Sequence, residues 1–183
     1  MSGHTGRLLV ATPLIGDPHF ERTVVLLLAH GPAGAFGVVL NRPSDVPVAD
    51  VAPAWAASAS APGVVFVGGP VDPSSLVGLA LDAEPGAGGP FDVVAGPGRM
   101  VDLDHPPEPG DALQSGVRVF AGSAGWAPGQ LEDELADGAW WPVDAAPDDL
   151  VVAEPQALWA RVLRRQPGEV AWFANHPADP SAN

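Results

Sequence analysis

Apolar positions in this chain fall in short runs of strand length, separated by glycine and proline. Residues 23–29, Thr-Val-Val-Leu-Leu-Leu-Ala, are apolar on both faces, the pattern of a strand in the middle of a sheet. Residues 7–11 and 36–40 carry a similar signature. Between 23–29 and 36–40 lies His30-Gly31-Pro32-Ala33-Gly34-Ala35, a loop of hairpin length, so residues 23–40 are expected to form an antiparallel hairpin. Further short strands are expected at 64–67, 76–81, 91–95, 100–103 and 117–121, with Gly and Pro in every gap.

The helical period shows in two places. Pro128 opens residues 129–137, where Leu131 and Leu135 share a face and Gly138 supplies the stop. Pro155 opens residues 155–165, where Leu158 and Val162 share an apolar face with Trp159 and Leu163 beside them, and Arg161, Arg164 and Arg165 favour the C-terminal end. Residues 52–63 and 84–90 are rich in Ala, Ser, Pro and Gly and read as mobile connections, while 1–5 and 177–183 read as flexible tails. None has the character of a domain linker, so residues 1–183 are read as one domain. Strands come in a long run and helices late, which favours an α+β fold with a mostly antiparallel sheet over a doubly wound βαβ fold.

Composition narrows the function classes. A chain of 183 residues can bury roughly 70% of its extended surface without staples. It has no cysteine, which removes disulfides, thiolate metal sites and cysteine nucleophiles together. The first residues lack a signal-peptide pattern, so a cytoplasmic location is expected, and the longest apolar run, 24–29, is far too short to span a bilayer. Eight arginines, no lysine and 22 carboxylates give a net charge of −14, which opposes attraction to phosphate backbones and anionic lipid. Direct binding of nucleic acid or membrane is therefore not expected.

Four segments resemble the YqgE/AlgH family: Gly6-Arg-Leu-Leu-Val-Ala-Thr-Pro-Leu-Ile-Gly-Asp-Pro-His-Phe-Glu-Arg-Thr-Val-Val, Gly34-Ala-Phe-Gly-Val-Val-Leu-Asn-Arg-Pro, Gly68-Gly-Pro-Val and Ala124-Gly-Trp-Ala-Pro-Gly-Gln-Leu-Glu. The resemblance implies a mostly antiparallel branched sheet curled into a pseudo-barrel with flanking helices. It implies no established reaction, although members are often labelled transcriptional regulators. Two positions depart from the family pattern: Ala29 precedes His30 where an acidic residue is frequent, and Ser123 stands where a tyrosine is common.

The richest polar constellation is the open end of the hairpin. A turn centred near residue 31 or 32 sets Arg22 opposite Asn41 and Glu21 opposite Arg42, with Asp17 and His19 just upstream. Arginine forks, an amide and carboxylates are the equipment for holding an anionic or polar ligand, and equally for a structural salt-bridge network that closes the sheet. His30 is a candidate binding group, but eight strand residues place it roughly 26 Å from Arg22. Trp126 and Gln130 flank Pro128 at the start of the first helix, where the indole N–H needs a partner.

Other motifs allow other chemistry. Ala121-Gly122-Ser123-Ala124-Gly125 resembles a nucleophile elbow with alanine in first place, and with Asp144 or Asp149 and then His176 the chain order suits a small serine hydrolase. Asp102, Asp104 and His105 could share a strand face and suit a divalent ion, although such pairs arise freely among 22 acidic residues. Gly31, Gly34, Gly37 and the pair Gly68-Gly69 lack the spacing and lysine of a phosphate loop and read as turn glycines. Trp140 and Trp141 follow Gly138, and one of them is expected at the surface, marking a partner site, if they fall on opposite faces of an extended segment. The combined reading is a binding or regulatory protein with no cofactor or metal, acting through a protein or a small anionic ligand, with the Ser123 and His176 hydrolase as the alternative.

Overall fold

The computed structural model describes residues 3–81, 94–95, 98–107 and 116–177. The expected connection at 84–90, residues 91–93 of an expected strand, and residues 1–2 and 178–183 of the expected tails lie outside the described residues. Ten strands are described: β1 (Leu8–Ala11), β2 (Val24–Gly31), β3 (Gly34–Val39), β4 (Pro43–Pro47), β5 (Val64–Val67), β6 (Val71–Leu81), β7 (Val94–Ala95), β8 (Gly98–Val101), β9 (Val117–Trp126) and β10 (Trp140–Val143). Their order is β10-β1-β2-β3-β9-β6-β8-β7, with β5 joined to β9 and carrying β4. Every strand pairing is antiparallel except β5 on β9. This branched sheet curls into a half-barrel flanked by α1 (Val48–Val51), α2 (Gln130–Ala136) and α3 (Leu158–Arg164), an α+β fold.

The branch is built on β9. Its residues 117–121 pair with β6, Phe120 and Ala121 also pair with β5, and residues 124–126 pair with β3. The chain before β6 must pass very close to β9 where the partners change. Gly69 and Gly122 permit this: both have positive φ (+153° and +71°), and a Cβ on Gly69 would collide with the Ser123 carbonyl. The Gly68-Gly69 pair is thus a backbone crossing at the branch.

Strand alternation sorts the core into two layers. Leu8, Val10, Val24, Leu26 and Leu28 pack with Leu158, Trp159, Val162 and Leu163 of α3, while Leu9, Ala11, Val25 and Leu27 pack with Trp126, Leu131 and Trp140 on the other side. The runs at 7–11 and 23–29 therefore read as apolar on both faces because both faces are covered. A third cluster joins Val48, Trp55, Val65, Val101, Val117 and Val119. Arg118 of β9 is buried among these layers, with Nη1 and Nη2 donating to the Val152 and Ala61 carbonyls and the guanidinium 4.3 Å from the Phe66 ring centroid. Burial pulls its pKa down to about 10 through the lost hydration of the guanidinium.

Several expectations shift. The hairpin loop is two residues, Pro32 and Ala33, because a register shift between Leu27 and Ala29 brings Gly31 opposite Gly34. Segment 52–63 is packed: Pro53–Ser58 forms a 3₁₀ turn that buries Trp55, whose indole donates to the His105 carbonyl. Trp140 and Trp141 do fall on opposite faces of β10, yet both faces are covered, so neither is the exposed tryptophan; Trp172, 73% exposed, is. No helix among the described residues is long and apolar enough to cross a membrane.

Candidate functional site

The base of the hairpin is closed by Asn41. Its Oδ1 accepts the Val24 N–H and its Nδ2 donates to the Arg22 carbonyl, both at 2.9 Å. Held this way, Arg22 adopts φ of +54°, a left-handed conformation unusual for a residue with a side chain. The guanidinium lies over Trp159, 4.1 Å from the ring centroid, and Nη1 donates to the His176 carbonyl at 2.7 Å. Trp159 is fixed in turn, its indole N–H donating to the Ala11 carbonyl at 2.9 Å.

Asp17, Arg22 and Glu21 line one cleft of ≈290 Å³ together with Thr12, Ile15, Trp159 and His176. Asp17 accepts the His19 N–H in a local turn, and Arg42 donates to the Glu21 carbonyl at 2.7 Å from outside the cleft. Among the described residues neither Arg22 nor Arg42 forms an ion pair. The site thus gathers Asp17, Arg22, Asn41 and Arg42 around one stretch of chain, but Asn41 and Arg42 spend their hydrogen bonds on its backbone. Trp159 and the partnering of Arg22 by His176 were not foreseen; they join residues far apart in sequence.

His30 stands apart from that cleft. Its ring stacks on His4 with centroids 5.5 Å apart, Nδ1 accepts the His4 N–H at 3.0 Å, and Nε2 meets Glu132 Oε1 at 2.9 Å. An accepting Nδ1 places the ring proton on Nε2, which donates to Glu132. His30 is a clasp for the N-terminal segment. Burial, then the Arg7 charge, hold the His4 imidazole below its usual pKa, with Glu132 opposing. A lowered imidazole pKa means the unfolded chain binds the proton more readily, so the His4 contribution is complete above about pH 6.5 and is lost as pH falls through the lowered value. His4→Asn is expected to flatten the decline in melting temperature between about pH 7 and 5; an unchanged profile would show that the clasp does not titrate.

Trp126 and Gln130 converge on Glu134 of α2. Both Trp126 and Trp140 donate their indole N–H to Glu134 Oε2 at 2.8 Å, and Gln130 donates to Oε1 at 2.9 Å while accepting the Ala127 N–H. Phe20 completes an aromatic group, 5.5 Å from Trp140 and 6.3 Å from Trp126 by ring centroids. A second cleft, ≈270 Å³, opens beside it. Glu134 was missed, although it lies four residues after Gln130 on one helical face, the spacing that brings the two side chains together.

The hydrolase arrangement does not assemble. Ser123 lies inside β9, opposite Val71, and the strand runs on to Trp126, so there is no elbow turning into a helix. His176 sits at the cleft with Arg22, Asp149 is bound by Arg165, and Asp144 pairs with Arg7. Asp102 is likewise committed locally, accepting the Asp104 N–H and pairing with His105 at 2.6 Å, which together keep its carboxyl below the usual range. Among the described residues no group of three or more ligands is placed to hold a metal ion.

Comparison with known proteins places this geometry. The AlgH-like family model matches residues 8–171. The chain belongs to the AlgH-like family. Within the AlgH-like family it is 50% identical to a UPF0301 protein of Streptomyces coelicolor, over all of this chain and 97% of that one. A UPF0301 protein of Mycobacterium marinum is 42% identical, covering 97% of this chain and 90% of its own. Among solved structures, a protein from Corynebacterium diphtheriae superposes with TM-score 0.87 at 34% identity, covering 95% of this chain and 92% of that one. The AlgH protein from Pseudomonas aeruginosa superposes with TM-score 0.66 at 26% identity, covering 96% and 95%.

Proposed function

We propose that this AlgH-like protein is a non-enzymatic binding protein that captures a small ligand bearing a carboxylate or phosphate at Arg22. Any regulatory role then runs through that ligand or a protein partner, without direct contact to DNA. The observation that carries the reading is Arg22 itself. In a chain of net charge −14 it makes no ion pair among the described residues, and it lines a cleft with its guanidinium over the Trp159 ring. An arginine fork pre-oriented on an aromatic face loses little side-chain freedom when it closes on an anion.

Two of the three arginines at the end of α3 are engaged by carboxylates, which supports the reading without DNA contact. Arg161 pairs with Asp148 at 3.7 Å and Arg165 with Asp149. Isothermal titration of the full chain with small carboxylates and inorganic phosphate at low ionic strength tests the reading. Arg22→Gln is expected to weaken capture by about tenfold or more, the worth of one charge-assisted pair, with the melting temperature little changed. Arg42→Ala, which removes a donor to the Glu21 carbonyl, is expected to lower the melting temperature and leave capture intact. Absence of millimolar binding by any of these anions to the wild-type chain, or equal binding by Arg22→Gln, would overturn the assignment.

A further inference from the structure

We infer that the ligand of the Arg22 cleft is a zwitterion with an apolar body, of the size and charge pattern of a free α-amino acid. The inference rests on the anion-capture reading above and adds to it a second charge and a shape. The second charge comes from the lining. Arg22 brings one positive charge, but Asp17 and Glu21 line the same cleft and bring two negative ones. A plain anion that satisfied Arg22 would sit against both carboxylates and lose much of what it gained.

A ligand whose other end is an ammonium removes that conflict. The ammonium carries three N–H donors and no acceptor, which matches carboxylates with acceptor capacity to spare. Asp17 has such capacity: one of its oxygens takes the His19 N–H, and neither Asp17 nor Glu21 forms an ion pair among the described residues. Asp17, Glu21 and Arg22 all lie on the β1–β2 connection, and of the three it is Arg22 that is fixed over Trp159, so the anionic end of the ligand is directed to that ring.

Shape and lining set the rest. Ile15, Pro13 and the Trp159 indole give the cleft an apolar part, which suits an aliphatic or aromatic side chain. A volume of ≈290 Å³ lies at the low end for ligand pockets and fits an amino acid rather than a nucleotide. A nucleotide would also bring several negative charges to a cleft with one arginine.

The test is calorimetric titration of the full chain with L-leucine, L-methionine and L-phenylalanine, each beside its des-amino acid and its decarboxylated amine. At least one amino acid is expected to bind about tenfold or more tightly than its des-amino acid, and its amine to bind more weakly still. Asp17→Asn combined with Glu21→Gln is expected to bring the amino acid and its des-amino acid level, while Arg22→Gln removes both; melting temperatures confirm folding. If the des-amino acids bind as tightly as the amino acids, the zwitterion inference fails and anion capture stands. If amines bind best, or nothing binds, both fail.

Discussion

Asp149→Ala is expected to lower the stability of this protein by about 3 kcal/mol, near the lower bound for breaking a buried ion pair from one side. Asp149 is fully buried in the 3₁₀ turn Pro147–Asp149, between β10 and α3. Its two oxygens take both arms of the Arg165 fork, at 2.7 and 2.5 Å, and Oδ2 also accepts the Ala146 N–H at 2.7 Å. The carboxylate holds the Arg165 guanidinium above its usual pKa, the sign of a charge stabilised by its partner. Removing Asp149 strands the Ala146 N–H and a half-covered cation; removing Arg165 strands a fully buried carboxylate, and should cost at least as much. Urea denaturation reads both, and for a chain of this size the loss corresponds to roughly 6–12 °C in melting temperature. Asp149→Leu joined with Arg165→Met should recover most of the loss, because no unpaired charge is then left behind. A loss below about 1 kcal/mol for Asp149→Ala would show that the pair is solvated.

Glu134→Ala is the second large effect, also about 3 kcal/mol. Two indole N–H groups, those of Trp126 and Trp140, share one oxygen of this carboxylate. Trp126 and Trp140 are 6% and 2% exposed, so in the folded chain both indole N–H groups depend on Glu134 as acceptor. Each buried, unsatisfied donor costs roughly 1–3 kcal/mol. Glu134→Gln keeps one acceptor oxygen and should cost about 1 kcal/mol, chiefly because its amide meets the Gln130 amide donor. Tryptophan fluorescence gives a second readout that stability alone would not move, since two of the six tryptophans lose a charged partner. If Glu134→Ala and Glu134→Gln prove equally mild, Glu134 is not the acceptor that holds these rings.

How far the chain could be read before folding follows from the range of each interaction. The run Val24 to Ala29 announced β2, and counting across the turn placed Asn41 beside Arg22, because strand period and hairpin pairing are local rules. The same count missed the bulge at Leu28, which lengthens both strands to a two-residue turn; a bulge leaves no mark in an all-apolar run. β10 was not foreseen, since Trp-Trp-Pro-Val neither alternates nor looks like an edge, and its pairing partner β1 lies more than a hundred residues away. Ala, Ser and Pro around Trp55 suggested a loose connection because composition does not tell where a lone tryptophan will be buried.

By itself the amino-acid sequence determined what short-range geometry controls: the central strands, the hairpin, the two amphipathic helices, the acidic surface and the family pattern carried by contiguous motifs. Only the tertiary structure decided which polar groups meet. Arg22 on Trp159 and His176, Glu134 between two indoles, Asp149 in the fork of Arg165 and Ser123 inside a continuing strand all depend on how the sheet branches and curls. The physical reason is that hydrogen bonds and ring contacts act over a few ångströms, while the residues that make them here are brought together by packing of apolar layers that carry no information on polar partners.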